Sequence, residues 1–210
     1  MHMAEVREPG GSGANEILVQ EVIPGFSHNL NQSMQIVVPD EYKYLYVHDT
    51  DRPVFKIPAE VLRQTAKEVT KVGKKQQVLA DNMLKIMRQA HGVGLAAPQL
   101  GILERIVVIA PKGKPLVLIN PVITKSEGEM IGEEGCLSIP GLYGDVVRAE
   151  MVEVMALDRK GREVTYEMAG MSARVVQHEI DHLDGVLFID KVDPASLHWM
   201  HPYTDDEPNP

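Results

Sequence analysis

The stretch Gln177-His178-Glu179-Ile180-Asp181-His182-Leu183 decides how the rest of the chain is read. It contains His-Glu-x-x-His. On a helix, residues i and i+4 share a face, so His178 and His182 project to one side. Two imidazoles so placed can bind one metal ion, and Glu179 beside the first can handle the proton of a metal-bound water. Alone, the motif leaves two readings open: a metal site, or a buried helix whose histidines are satisfied by hydrogen bonds. The spacing predicts a helix from Gly170 to about His182. Met171, Ala173, Val175, Val176, Ile180 and Leu183 put apolar groups nearly all round it, the pattern of a buried, central helix. Unpaired imidazoles there would each cost on the order of 1–3 kcal/mol, and a metal would be one partner.

Strands are expected upstream of this helix. Glu150 to Asp158 and Glu163 to Met168 are joined at the turn Asp158-Arg159-Lys160-Gly161, and Val146-Val147 belongs to another strand. Arg105 to Ala110 and Leu116 to Asn120 are apolar and β-rich, with the turn Pro111-Lys112-Gly113-Lys114 between them; Val122 to Met130 extends them as a meander. Glu133 to Gly141 reads as irregular. Further upstream, Lys74 to His91 carries Val78, Leu79, Met83, Ile86, Met87 and Ala90 at a 3.6-residue period, a helix with one core face whose methionines are packing groups. Gly92 fits the residue that ends it. Pro58 opens a helical turn running to about Val69. Val186-Leu187-Phe188-Ile189 reads as a last short strand. Helices at both ends of a run of strands predict an α+β domain, with antiparallel sheets packed around the buried helix that carries the motif.

The bulk numbers narrow the function. The 210 residues suffice for one domain with a sizeable core, and the 44% hydrophobic and 24% charged content is ordinary for a globular protein. A net charge of −9 argues against a nucleic-acid surface, which needs clustered Lys and Arg. No apolar run approaches the roughly 20 residues that span a bilayer, and the N-terminus lacks the pattern of a secretory signal. The single cysteine, Cys136, forbids an internal disulfide and fits a reducing compartment. Residues 1–53 read as an N-terminal extension, partly ordered, with Met1-His2-Met3 a remnant of expression. It includes a linker signal at Gly10-Gly11-Ser12-Gly13 and short strands at Ile36-Val37-Val38 and Tyr44-Leu45-Tyr46-Val47. Residues 54–192 read as the catalytic domain. Residues 193–210 read as a flexible tail ending in Asp205-Asp206-Glu207-Pro208-Asn209-Pro210.

Two further stretches bear on the site. In Gly92-Val93-Gly94-Leu95-Ala96-Ala97-Pro98-Gln99, the small residues let another backbone approach closely. A helix cap and tight turn would explain Gly92 but not the whole run. It is no phosphate loop, since the third glycine of the dinucleotide pattern is missing and no strand precedes it. The other stretch holds Cys136, between two glycine-containing turns. A free cysteine is commonly a packing residue. A metzincin protease would carry a third histidine at position 188, where this chain has Phe188, which binds no metal. Cys136 is then the best remaining third ligand.

The stretches Gly92-Val93-Gly94-Leu95-Ala96-Ala97-Pro98-Gln99, Glu134-Gly135-Cys136-Leu137-Ser138 and Gln177-His178-Glu179-Ile180-Asp181-His182-Leu183 resemble, in order, the three signature motifs of peptide deformylases, a resemblance covering about Val54 to Val192. It implies a metal-dependent hydrolase that removes the formyl group from the N-terminal formylmethionine of new polypeptides. It implies Fe2+ as the native ion, replaceable by Zn2+, Ni2+ or Co2+. Cys136, His178 and His182 would be the metal ligands, with water as the fourth, and Glu179 would carry the proton from water to the leaving amine. The amide of Gln99 and the backbone N–H of Leu137 would stabilise charge on the formyl oxygen, each such donor being worth about 3–4 kcal/mol. Backbone groups of Val93, Gly94 and Gly135 would pair with the peptide as an added strand. Val175 and His178 would line the methionine pocket. Tyr143 is either farther along the peptide path or a surface-loop aromatic. Arg148 is assigned a structural role, Glu134 supports a ligand, and His91, His198, Trp199 and His201 are non-ligands. The implied partners are formylmethionyl nascent peptides, with transient ribosome contact, in a bacterial-type cytosol or an organelle stroma or matrix. The acidic tail does not resemble the basic helix that some family members dock on ribosomes. Two alternatives stay open: a metallopeptidase using the same helix, and a metal-stabilised interaction protein without catalysis.

Overall fold

The strand β2, Ile106–Ile109, has four consecutive buried residues, because it is covered on both faces. Ile106 and Val108 pack with Met83, Leu84 and Met87 of helix α1, Lys74–Gln89. Val107 and Ile109 pack with Ala173, Val176, Ile180 and Leu183 of helix α2, Met171–Leu183. A computed structural model describes residues 36–110 and 115–201. In it β2 belongs to a five-stranded antiparallel sheet of order β1-β2-β3-β6-β7, with β1 at Gly94–Ala96, β3 at Leu116–Glu127, β6 at Met151–Leu157 and β7 at Glu163–Ala169. Strand β6 shows the two-residue period of a half-buried strand: Val152, Val154 and Ala156 point inward, and Met151 and Met155 outward. A second antiparallel sheet has the order β4-β5-β8, from Met130–Cys136, Ile139–Arg148 and His198–Trp199. Its core contains Ile139, Leu142, Val146 and Phe188. Strands β1 and β4 are each the edge of their sheet. The architecture is α+β, as the order of elements predicts. No helix among the described residues is long and apolar enough to cross a membrane.

Several local expectations are corrected. Glu133 to Gly141 is not irregular; it lies in the β4–β5 hairpin, with a register shift between Gly135 and Cys136. Pro58 to Val69 holds only the short 3₁₀ helix Glu60–Arg63; beyond it the Ala66 N–H bonds to the Leu183 carbonyl (2.7 Å) and Lys67 bridges to Glu104. Helix α1 ends with His91, not Gly92, in the left-handed region (φ 54°). Gly92 is needed for space, since a Cβ there would lie 2.8 Å from Leu137. The stretch after Gly185 forms the 3₁₀ helix Phe188–Asp190, where the Asp190 carboxylate accepts the Leu187 N–H (2.8 Å) and pairs with Arg63.

The strands expected at Ile36–Val38 and Tyr44–Val47 are absent. A 3₁₀ helix occupies Asp40–Tyr46 instead, with Pro39 before it and Asp40 and Glu41 in its first turn, where negative charge suits the helix N-terminus. Of the expected tail, residues 193–201 carry the 3₁₀ helix Pro194–Ser196 and strand β8, paired to β5. The Gly10–Gly13 linker, the Pro111–Lys114 turn and the acidic end Asp205–Pro210 lie outside the described residues.

Candidate active site

A cleft of about 620 Å³ opens between the β1 side of the larger sheet and the β4–β5 hairpin. Helix α2 presents His178 and Glu179 to it, and β4 presents Cys136 from its last position. The one-turn spacing of the motif puts His178 and His182 side by side, with ring centroids 5.1 Å apart. The Cys136 Sγ lies 3.2 Å from His182 Nε2. One donor atom from each of Cys136, His178 and His182 lies within 4.8 Å of the others, the only such group of metal-binding side chains among the described residues.

The neighbours of this cluster fix its chemistry. Nδ1 of His178 donates to the Glu134 carboxylate at 2.9 Å, which leaves Nε2 to face the cluster. Glu134 also accepts two hydrogen bonds from Arg148, both 2.9 Å, and one from Arg174 at 2.7 Å. Burial alone would push the Glu134 carboxyl up, but the hydrogen bonds and charges of Arg148 and His178 outweigh it and hold the group well below the usual carboxylate range. Burial likewise favours a neutral Cys136 thiol, yet His182 and His178 beside it hold it well below the usual thiol range and so favour the thiolate. A buried thiolate beside two imidazoles is a suitable donor set for a divalent metal. Three protein donors leave a position open, as catalytic rather than structural sites do.

Glu179 is 5% exposed, and its Oε2 has no hydrogen-bond partner among the described residues. Burial pushes its carboxyl up to about 7, against the opposing charges of His178 and His182. A carboxyl poised there can take up and return a proton near neutral pH. Gly94 lies against it: a Cβ at that position would sit 2.2 Å from Glu179 Oε1. Gln99 is buried, with Oε1 accepting the Ala96 N–H at 2.9 Å; its Nε2 donates to Ser138 Oγ at 3.1 Å and faces Cys136 Sγ at 3.7 Å. Leu137 follows Cys136 in the turn between β4 and β5. Val93, Gly94, Gly135, Leu137 and Val175 all line the cleft.

The structure thus brings together every site residue read from the sequence. Of the two readings of Tyr143, the structure removes the surface-loop one. The residue sits on β5 opposite Gly135, lines the cleft and stacks near His198. Arg148 grips both Glu134 and Asp181. Arg174 was missed. It stands one turn before His178 in an otherwise apolar stretch, and a buried arginine at i−4 from a ligand candidate is the signal that could have found it. Phe188 is buried, with its ring centroid 6.3 Å from that of His178. His91, His198 and His201 do not join the cluster.

An α+β fold whose cleft sets a thiolate and two imidazoles beside a buried carboxylate is that of a metal-dependent hydrolase. The profile of the polypeptide deformylase family matches residues 51–197. A peptide deformylase of Symbiobacterium thermophilum is 53% identical over 141 residues, 66% of this chain and 65% of that protein; one of Halothermothrix orenii is 55% identical over 139 residues, 65% of this chain and 90% of that protein. The crystal structure of peptide deformylase from Thermus thermophilus superposes with a TM-score of 0.66 at 45% identity, covering 68% of this chain and 86% of that one. The chain belongs to the polypeptide deformylase family, hydrolases that remove the N-formyl group from nascent polypeptides.

Proposed function

We propose that this protein deformylates N-formylmethionyl peptides with Cys136, His178 and His182 as the metal ligands, on α2 as the central helix and on the hairpin packed beside it. The observation that carries the reading is the convergence of these three donors within 4.8 Å in the cleft where Glu179 and Gln99 also lie. When bound there, a divalent metal supplies Lewis-acid polarisation of the formyl carbonyl and an acidified water. Glu179, buried with one free oxygen, holds the proton released by the attacking water and returns it to the leaving amine. The Gln99 amide and the Leu137 N–H donate to the formyl oxygen as it gains charge. Glu134, held by Arg148 and Arg174, orients His178. The peptide backbone lies along Val93, Gly94 and Gly135 as an added strand, and Val175 and His178 flank the methionine side chain. The products are formate and a free amino terminus.

The same reading takes Fe2+ as the native ion on the family resemblance, with Zn2+, Ni2+ or Co2+ able to replace it, since a sulfur and two nitrogens suit them all. Residues 54–192 form the catalytic unit, between the 1–53 extension and the 193–210 tail. A bacterial-type cytosol fits the bacterial relatives and a thiolate ligand that needs reducing conditions. Transient ribosome contact follows from the nascent substrate. The test is formate release from formyl-Met-Ala-Ser by the metal-loaded protein, with activity abolished by a chelator and restored by Fe2+ without oxygen. No formate release by metal-loaded protein rejects the reading. Cleavage of unformylated peptides instead would favour a metallopeptidase.

A further inference from the structure

The cleft extends beyond the residues that carry the chemistry. Part of its wall is Tyr44 and Leu45, which precede the family-matched segment 51–197, together with Arg52, Pro53 and Val54. This wall is anchored. Tyr42, 4% exposed, seats the 3₁₀ helix Asp40–Tyr46: its ring stacks on His201 at 4.5 Å and meets Trp199 at 5.0 Å. Trp199 is in turn paired with Leu142 of β5. Strand β5 makes room for the ring at Gly141, where φ is 87° and a Cβ would lie 2.6 Å from Tyr42. Arg52 closes the segment from its other end, bonding Asp49 Oδ2 at 2.8 Å and the Tyr44 carbonyl at 3.4 Å. Asp51 and Lys56 also line this side and the Arg52 charge is matched by Asp49, so the aromatic and apolar surface offered to a ligand is chiefly the half-exposed Tyr44 (54%), with Leu45 and Pro53 beside it.

We propose that this wall is an additional subsite that receives the side chain of the third or fourth residue of the formylated peptide and favours aromatic and large apolar side chains there. The inference rests on the deformylase reading of the site. A peptide held at its formylated end beside β1 and β4 runs outward along the same cleft, and Tyr44 lines that cleft outside the catalytic segment. A ring placed against Tyr44 gains an aromatic contact that glycine does not. Tyr42, Trp199 and His201 act as positioning residues, holding Tyr44 in place without touching substrate.

The test uses the metal-loaded full chain and the ratio of kcat/KM for formyl-Met-Ala-Phe-Ser to that for formyl-Met-Ala-Gly-Ser, repeated with Phe or Gly in the fourth position. The expected ratio at one of the two positions is about threefold to tenfold, mostly through KM. Tyr44→Ser should bring it close to one, Tyr44→Phe should keep it, and Tyr42→Ala should lower it from a distance. A general structural loss would lower both peptides equally and leave the ratio intact. A ratio near one in the parent protein at both positions, or one that survives Tyr44→Ser, overturns the subsite. Should Tyr42→Ala fail to fold, Tyr44→Ser at its exposed position still decides. Failure to release formate from any formyl peptide would overturn the deformylase reading itself.

Discussion

Nδ1 of His178 donates to Oε2 of Glu134 at 2.9 Å, and that carboxylate is gripped from its other sides by Arg148 and Arg174. Removing Glu134 strips His178 of its orienting partner and leaves two guanidinium groups around a missing charge. Glu134→Ala should lower metal affinity by about 10–100-fold and stability by about 3–5 kcal/mol. Metal content after dialysis against a competing chelator, and urea unfolding, measure the two effects separately.

The same carboxylate sets an acid limit. Its folded pKa is depressed from the ordinary 4.5, so its contribution is fully present above that value and is lost as pH falls toward the folded pKa. Unfolding free energy should therefore fall steeply below about pH 4.5. The slope between pH 4.5 and 3 should be shallower in Glu134→Gln than in the parent, which urea titrations across that range would show.

Glu179 is built for reaction at a cost to the fold. Glu179→Gln should lower kcat by about 10²–10⁴-fold while metal content stays unchanged. In metal-free protein at pH 8 the same change should raise stability by about 1–3 kcal/mol, because it removes a buried charge with an unpartnered oxygen. Thermal unfolding at pH 8 checks the second half, and a lower midpoint in the variant would contradict it.

Gln99 uses its two amide ends differently: Oε1 holds β1 through Ala96, and Nε2 faces Ser138 and Cys136. Gln99→Glu keeps the acceptor and loses the donor. Its kcat should fall by about 10²–10³-fold, with KM changing far less. Steady-state kinetics with a formylated tripeptide would separate the two constants.

Gly94 is defined by what a methyl group would strike. In Gly94→Ala the new carbon begins 2.2 Å from Glu179 Oε1, so the carboxylate must move. A displacement on that scale should cost about 10²-fold in kcat/KM in a protein that still folds and holds metal. Circular dichroism and metal analysis beside the kinetics would distinguish a displaced carboxylate from a general loss of structure.

Long elements with clean periods were legible in the sequence: α1, α2 and the β6–β7 hairpin stand where their spacing puts them. The β4–β5 hairpin was not, because its alternation is disguised. Glu134 points inward, where arginines neutralise it, and Ile131 points outward with 72% exposure, so hydrophobicity runs against burial along β4. Tyr44-Leu45-Tyr46-Val47 suggested a strand, yet the neighbouring Tyr42 is held by rings from positions 199 and 201, a long-range contact that no local pattern records. Within the site, His178, Glu179 and His182 could be read from spacing, whereas Gln99, Leu137, Val93, Gly94, Gly135 and Val175 rested on the family resemblance alone. Arg174 carries only one local signal, its place one turn before His178; its role depends on a carboxylate 40 positions away, which no local pattern records.

Open sheet edges usually invite unwanted pairing between molecules. Here the edges of two different sheets, β1 and β4, both contribute to the cleft, at Gly94 and at Glu133 through Cys136. Amide groups on such edges are blind to side-chain identity, and every newly made polypeptide carries the same amides. In the proposed strand addition, what would be a hazard elsewhere becomes the source of generality: one cleft can process chains that share nothing beyond their first residue.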